Sequence, residues 1–341
     1  MAYPALARAL LTEPHRPRVA CGPVQGFSMF AVMTGALLPV VFLMFLGWLG
    51  GRKGYFRRED VNVFAALVMR FALPFSLFLG ALNTPPEKLQ NLPFILCMAF
   101  GFVGTYIVAL VIARLAFRHD LKTSAIQALV CTFPDMAYFG APILLAVCGP
   151  SGFLAVLVGN LITSFIILPL TIVLSRWGEM ASGPDESGVA DILKSSLWRT
   201  VTNQMVWLPI LGVILSFSGV TLPAALKHSV ELVATTAGGV SLLALGLMFF
   251  GERPSVNLDV TVNVGMKNVL QPALMALGIF LFGVDAEFAR QALIVGAVPT
   301  AIAASMFAVR NRTYAMPASD SVVIGTVLAV FTEAFLIAVV L

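Results

Sequence analysis

Charge is scarce in this chain: Asp, Glu, Lys and Arg make up 11% of its 341 residues. A soluble domain carries about 25%. Histidine is nearly missing, with only His15, His119 and His228, scattered through loops and helix ends. Of the four cysteines, Cys21, Cys97, Cys131 and Cys148, the last three lie in apolar stretches and none has metal-ligand spacing. They read as small buried hydrophobes. No nucleophile elbow or phosphate loop occurs. These absences exclude a zinc site and a soluble-type active site, so no catalytic residue, metal or cofactor is expected. The net charge of +4 is segregated into loops and points to no nucleic-acid partner.

What is present is apolar sequence, 59% of the chain with a mean hydropathy of +0.94. No globular core could bury that much, so lipid must cover the rest. Apolar runs fall near 30–50, 61–82, 92–117, 122–148, 153–176, 201–218, 229–250, 262–283, 287–309 and 321–341. Each approaches the roughly 20 residues a membrane-spanning helix needs. The fold class is thus an all-α membrane protein of about ten helices. Short connections carry turn chemistry, as in Asn83-Thr84-Pro85-Pro86 and Gly149-Pro150-Ser151-Gly152. A longer polar linker, 177–200, separates a first five-helix unit (29–176) from a second (201–341).

Basic residues set the orientation. Loops after odd-numbered spans hold Arg52, Lys53, Arg57, Arg58, Arg114, Arg118, Lys122, Arg176, Lys194, Arg199, Arg253, Lys267, Arg310 and Arg312. Loops after even spans hold Lys88, Lys227 and Arg290. Fourteen against three places the linker in the cytoplasm and the C-terminus outside. Residues 1–28, with Arg8, Arg16 and Arg18, fit that orientation poorly and lack a signal-peptide core. They read as a disordered tail or an over-long start, with Met29 or Met33 as the alternative first residue.

Five spans per half means that the second half enters the membrane inverted. Ser76-Leu77-Phe78-Leu79-Gly80 in span 2 answers Ser241-Leu242-Leu243-Ala244-Leu245-Gly246 in span 7. Gln127-Ala128-Leu129-Val130 in span 4 answers Gln291-Ala292-Leu293-Ile294 in span 9, and Pro134 answers Pro299. The offsets are 164 or 165 throughout. Inverted repeats with paired discontinuous helices are a recurring transporter architecture, with binding near the midplane. Span 4 has Pro134, Gly140 and Pro142 around Asp135, and span 9 has Gly296 and Pro299 at matching depth. Two broken helices crossing at the centre are expected. Their half-helix N-termini suit an anionic group.

Three charges lie inside spans: Arg70, Asp135 and Glu333. Each costs about 2.5–3.5 kcal/mol at the bilayer centre, so each needs a partner or water. Asp135 is the first candidate for substrate or proton handling, against a structural hydrogen bond closing the break. Arg70, one turn before Pro74, is read as a partner for Asp135 or for a substrate carboxylate, against snorkelling. Glu333 is a second proton-coupling candidate, against a structural role. Asn160, Thr163 and Ser164 in span 5 are candidate helix contacts, with Asn160 the nearest polar group to the break.

The residues Leu38-Pro39-Val40-Val41-Phe42, then Gly47 and Gly51-Arg52-Lys53-Gly54, resemble the first helix of the auxin efflux carrier family. Phe71-Ala72-Leu73-Pro74 resembles its second-helix signature. Phe133-Pro134-Asp135-Met136-Ala137-Tyr138-Phe139-Gly140-Ala141-Pro142 resembles its broken helix, with Asp135 where bacterial members usually carry Asn. The resemblance covers 30–341 and implies two inverted five-helix repeats, a scaffold part and a transport part. Substrate would bind at the crossing of helices 4 and 9. Pro134, Asp135, Met136, Tyr138, Gly140, Pro299, Thr300, Arg70 and Asn160 are then the candidate substrate-binding residues. The expected activity is alternating-access transport of a small organic anion, a malonate-like carboxylate or auxin-like acid. Membrane lipid is the other expected partner, and a homodimer is among the assemblies this allows. A cation/proton antiporter is the alternative, since such proteins also use crossed broken helices with a buried aspartate. It would prefer two adjacent carboxylates, where span 5 offers Asn160. A membrane sensor would need a larger soluble domain than 177–200 provides.

Overall fold

The computed structural model describes residues 29–83, 90–180, 204–220, 222–251 and 254–340, with Trp198 and Thr202. The N-terminal tail, residues 84–89, most of the linker and Arg253 lie outside the described residues. Among the described residues the chain is helical, with a single isolated β-bridge and no strand.

The helices are α1 (Met29–Arg52), α2 (Val61–Asn83), α3 (Leu92–Leu115), α4 (Leu121–Thr132), α5 (Met136–Cys148) and α6 (Gly152–Glu179). There follow α7 (Gln204–Phe217), α8 (Ala224–Met248), α9 (Leu258–Phe282), α10 (Ala286–Ala297), α11 (Ile302–Arg310) and α12 (Ala315–Val340). Six of them, α2, α3, α6, α8, α9 and α12, are long and apolar enough to cross a membrane. Their starts are written locally. Asn91 accepts a hydrogen bond from the Phe94 N–H at 3.0 Å, Asp120 from Thr123 at 3.3 Å and Asn257 from Val260 at 2.9 Å, each closing an otherwise unpaired donor. α6 continues to Glu179, so the start of the expected linker is helical.

Proline also explains the helix irregularities. Pro74, Pro142, Pro169 and Pro272 lack an N–H, and the ring of each crowds the carbonyl four residues earlier. In each case the preceding five or six residues widen into a π-bulge: Val68–Ala72, Met136–Gly140, Thr163–Ile167 and Met266–Leu270. Leu73, Ala141, Leu168 and Gln271, each just before its proline, donate five residues back.

Packing divides the helices into two groups. α1 pairs with α8 and α2 with α7. The other group contains α3–α6 and α9–α12, with α9 against α3, α3 against α4 and α4 against α6. At the α1–α8 contact the backbones nearly touch. A methyl on Gly246 would lie 1.8 Å from the Met44 carbonyl oxygen, and one on Gly47 2.0 Å from that of Leu243. Small residues permit such close approach in membranes. Gly246→Leu is therefore expected to cost at least about 1–3 kcal/mol through overpacking. Fluorescence-detected size exclusion after a thermal challenge would show it as lost monodisperse protein.

Charged residues pair at helix ends. Glu179 at the end of α6 meets Lys122 of α4 at 2.9 Å and Arg176 at 2.7 Å. Asp259 at the start of α9 accepts from Tyr314 at 2.9 Å and faces His119 at 3.8 Å. Lys267 departs from this pattern and corrects the loop assignment made from sequence. It lies inside α9, fully buried, so the charge tally loses it and becomes thirteen against three.

Candidate functional site

Pro134 and Pro299 interrupt their helices for one local reason. Proline disfavours the helical region for the residue before it. Phe133 accordingly has ψ 107° and Val298 ψ 130°, and α4 and α10 stop there. The chain resumes as α5 at Met136 and as α11 at Ile302. Pro142, by contrast, sits inside α5 and causes no break.

The two breaks meet. Pro134 and Thr300 stand opposite each other in an antiparallel bridge. The Asp135 N–H donates to the Pro299 carbonyl at 2.8 Å, and the Ala301 N–H donates to the Phe133 carbonyl at 2.9 Å. Thr300 Oγ1 adds a bond to the Val130 carbonyl at 2.9 Å, closing one of α4's last acceptors. Pro134, Asp135, Met136, Tyr138, Gly140, Pro299 and Thr300 are all buried here.

The N-termini at this junction differ. Asp135 caps α5, its Oδ1 accepting from the Tyr138 N–H at 3.1 Å. Its Oδ2 is buried without a hydrogen-bond partner. The N-terminus of α11 begins at Ala301 and has no side-chain cap. Asn160 lies beside the junction on α6, next to Gly159, whose added methyl would meet Met136 Cε at 2.4 Å. Its Nδ2 is likewise buried and unpartnered.

Arg70 is not part of this assembly. It is exposed, and neither a hydrogen bond nor an ion pair joins it to Asp135. Val68 and Ala72 form the buried face of α2, and a residue between them on a helix points the other way. Glu333 is fully buried in α12, with both carboxylate oxygens unpartnered. It does not bond to the junction.

Sequence reasoning missed Lys267 and its partners. Lys267 Nζ donates to Gln271 Oε1 and, at 3.4 Å, to the Gly296 carbonyl in the last turn of α10. Gln271 Nε2 donates to the carbonyl of Thr132, the last residue of α4, at 3.0 Å. Asn263, one turn earlier, accepts from Gln127 Nε2 at 3.1 Å. The available signal was a lysine four residues from a glutamine within an apolar span that ends well beyond both.

A cleft of about 320 Å³ opens between the two helix groups. α2 and α8 contribute Ser76, Asn83, Glu231 and Gly238, while Pro142 of α5 and Phe153 of α6 form the opposite wall. It reaches Ala141 of α5, the residue after Gly140. Ser241 Oγ of α8 bonds the Tyr138 carbonyl at 3.3 Å, tying the same turn of α5 to the other helix group.

Comparison with known proteins finds membrane transporters. The family described as membrane transport protein matches residues 32–337. The chain is 26% identical to the uncharacterized transporter YfdV of Escherichia coli K12, over 87% of this chain and 94% of the relative. It is also 26% identical to a putative malonate transporter of Rhizobium meliloti, over 89% and 94% respectively. A probable auxin efflux carrier component 5a of Oryza sativa is 22% identical, over 86% and 92%.

Proposed function

The chain belongs to the membrane transport protein family that includes the auxin efflux carriers, and from that premise we propose that it moves a small organic anion across the bacterial inner membrane. The observation that carries the reading is the junction itself. Two interrupted helices are bonded backbone to backbone, with one uncapped N-terminus and one buried carboxylate oxygen left open. Half-helix N-termini carry positive partial charge and favour an anionic group such as a carboxylate. Malonate-like dicarboxylates are the leading class, suggested by the malonate transporter relative, with an auxin-like acid the other.

In this reading, α4–α5 and α10–α11 are the fourth and ninth of ten spans, crossing at the bridge within two inverted five-helix repeats. The 13 basic residues against three support a cytoplasmic linker and a periplasmic C-terminus. α1, α2, α7 and α8 act as scaffold, and the other group carries the site. The cleft between them is the route by which substrate reaches the junction, and relative movement of the groups exposes it to either side in turn. Asp135, Met136, Tyr138, Gly140, Pro299, Thr300 and Asn160 form the site, and Arg70 is left out of it. A substrate carboxylate arriving beside Asp135 places two acids together, and like charges that close share a proton. Transport of the anion is thus linked to a proton held at Asp135 Oδ2.

Uptake of labelled malonate into proteoliposomes tests the reading. Wild type should accumulate label saturably. Arg70→Ala should stay within about twofold of it, as for a surface substitution. No uptake of any dicarboxylate, alongside proton-coupled exchange of an alkali cation, would instead establish the antiporter.

A further inference from the structure

Where two helices break, the carbonyls at the ends of their first halves lose their acceptor roles within the helix. In hydrocarbon these groups must be satisfied by other means, and transporters commonly place a cation such as Na⁺ at such ends. Here α4 ends at Thr132 and α10 at Ala297. Both ends are served from one place in α9. Lys267 Nζ reaches the Gly296 carbonyl at 3.4 Å, and it holds Gln271, whose amide donates to the Thr132 carbonyl at 3.0 Å. Lys267 is fully buried and Gln271 equally so. The negative end of the α10 dipole thus meets the ammonium directly, and that of α4 meets it through Gln271.

The surroundings are those of a cation site. Glu333 of α12 is fully buried with both its oxygens unpartnered, and α12 packs against the widened turn that carries Lys267. No ion pair within 4.0 Å joins the two. Cys131 on the last turn of α4 and Asn268 beside Lys267 are also buried, and Asn268 Oδ1 lacks a donor. The π-bulge caused by Pro272 includes Lys267 in its widened turn.

We propose that Lys267 is a tethered cation occupying the position between the C-terminal ends of α4 and α10, a position that a free monovalent cation would otherwise have to fill. The protein then needs no sodium to hold its two broken helices together, and removing the side chain opens a site for a small monovalent cation. This concerns the cation side of the junction, and its stability readout does not depend on which anion is carried.

The experiment compares the full-length protein in detergent with Lys267→Ser, which empties the position, and Lys267→Met, which fills it without charge. Thermal unfolding is recorded in choline, sodium and methylammonium chlorides at equal ionic strength. Wild type and Lys267→Met should melt at the same temperature in all three. Lys267→Ser should be less stable in choline and recover in sodium or methylammonium, with proteoliposome uptake recovering alongside where uptake is measurable. Uptake failing in every protein while the melting response appears would count against the transport reading and leave this assignment standing. Lys267→Ser that is insensitive to both cations, or that fails to fold in all of them, would overturn the assignment, as would sodium dependence in the wild type.

Discussion

Asp135→Ala is expected to slow malonate uptake by at least about tenfold, whereas Asp135→Asn should keep transport but lose its response to a proton gradient. The two substitutions separate the two oxygens of one side chain. Oδ1 caps α5 by accepting from the Tyr138 N–H at 3.1 Å, and alanine removes that cap. Losing a cap costs about 0.5–2 kcal/mol, and a buried N–H left unpaired costs about 1–3 kcal/mol. Because 1.4 kcal/mol corresponds to about tenfold, that cost at the binding site suffices for the expected loss. Asparagine keeps an acceptor for Tyr138 and turns the unpartnered Oδ2 position into a permanent donor. A substrate carboxylate can then be met without a proton. Wild-type uptake should therefore accelerate when the side from which substrate enters is acidified, and Asp135→Asn should not. Initial rates with and without an imposed pH difference decide this, and an unaltered proton response in Asp135→Asn would remove Asp135 from the coupling step.

Ala301→Pro carries the second large effect. Ala301 has φ −68°, which proline adopts without strain, so the substitution deletes an N–H and little else from the backbone. That N–H bonds the Phe133 carbonyl at 2.9 Å and is one of two backbone bonds between the breaks. The carbonyl is left without this donor in a membrane interior, at a cost of about 1–3 kcal/mol. A loss of uptake between about fivefold and a hundredfold follows, with a smaller change in the amount of folded protein. Met306→Pro, at an exposed position of α11 where the ring meets the Ile302 carbonyl instead, is the control for helix disruption. If Ala301→Pro transports as well as wild type, the bridge is not needed to hold the site.

Much of this was legible in the sequence because apolar length and proline act locally. The predicted spans at 61–82 and 92–117 correspond to Val61–Asn83 and Leu92–Leu115. Pro134 and Pro299 marked the breaks because a pre-proline residue is biased out of the helix, whereas Pro74, Pro142, Pro169 and Pro272 are accommodated by π-bulges. The orientation of side chains was less accessible. α2 is apolar on nearly all sides, so no period in its sequence revealed that Val68 and Ala72 face inward and Arg70 outward. Lys267 was lost for a related reason. A lysine counts as a loop residue in a charge tally, and only the packing of α9 against α4 and α10 shows the carbonyls it serves. Glu333 was recognised as an intramembrane charge, but the widened turn of α9 against which α12 packs lay in a different span. Asp135 was weighed between a structural hydrogen bond and a functional acid; its Oδ1 makes the structural bond, and the proposed proton role falls to the unpartnered Oδ2.

A structure determined with malonate at saturating concentration would test the central reading most directly. Density for a carboxylate between the N-termini of α5 and α11, within hydrogen-bond distance of Asp135 Oδ2 and the first N–H groups of α11, is the predicted result. Density confined to the cleft beside Glu231, with the junction unchanged, would contradict it.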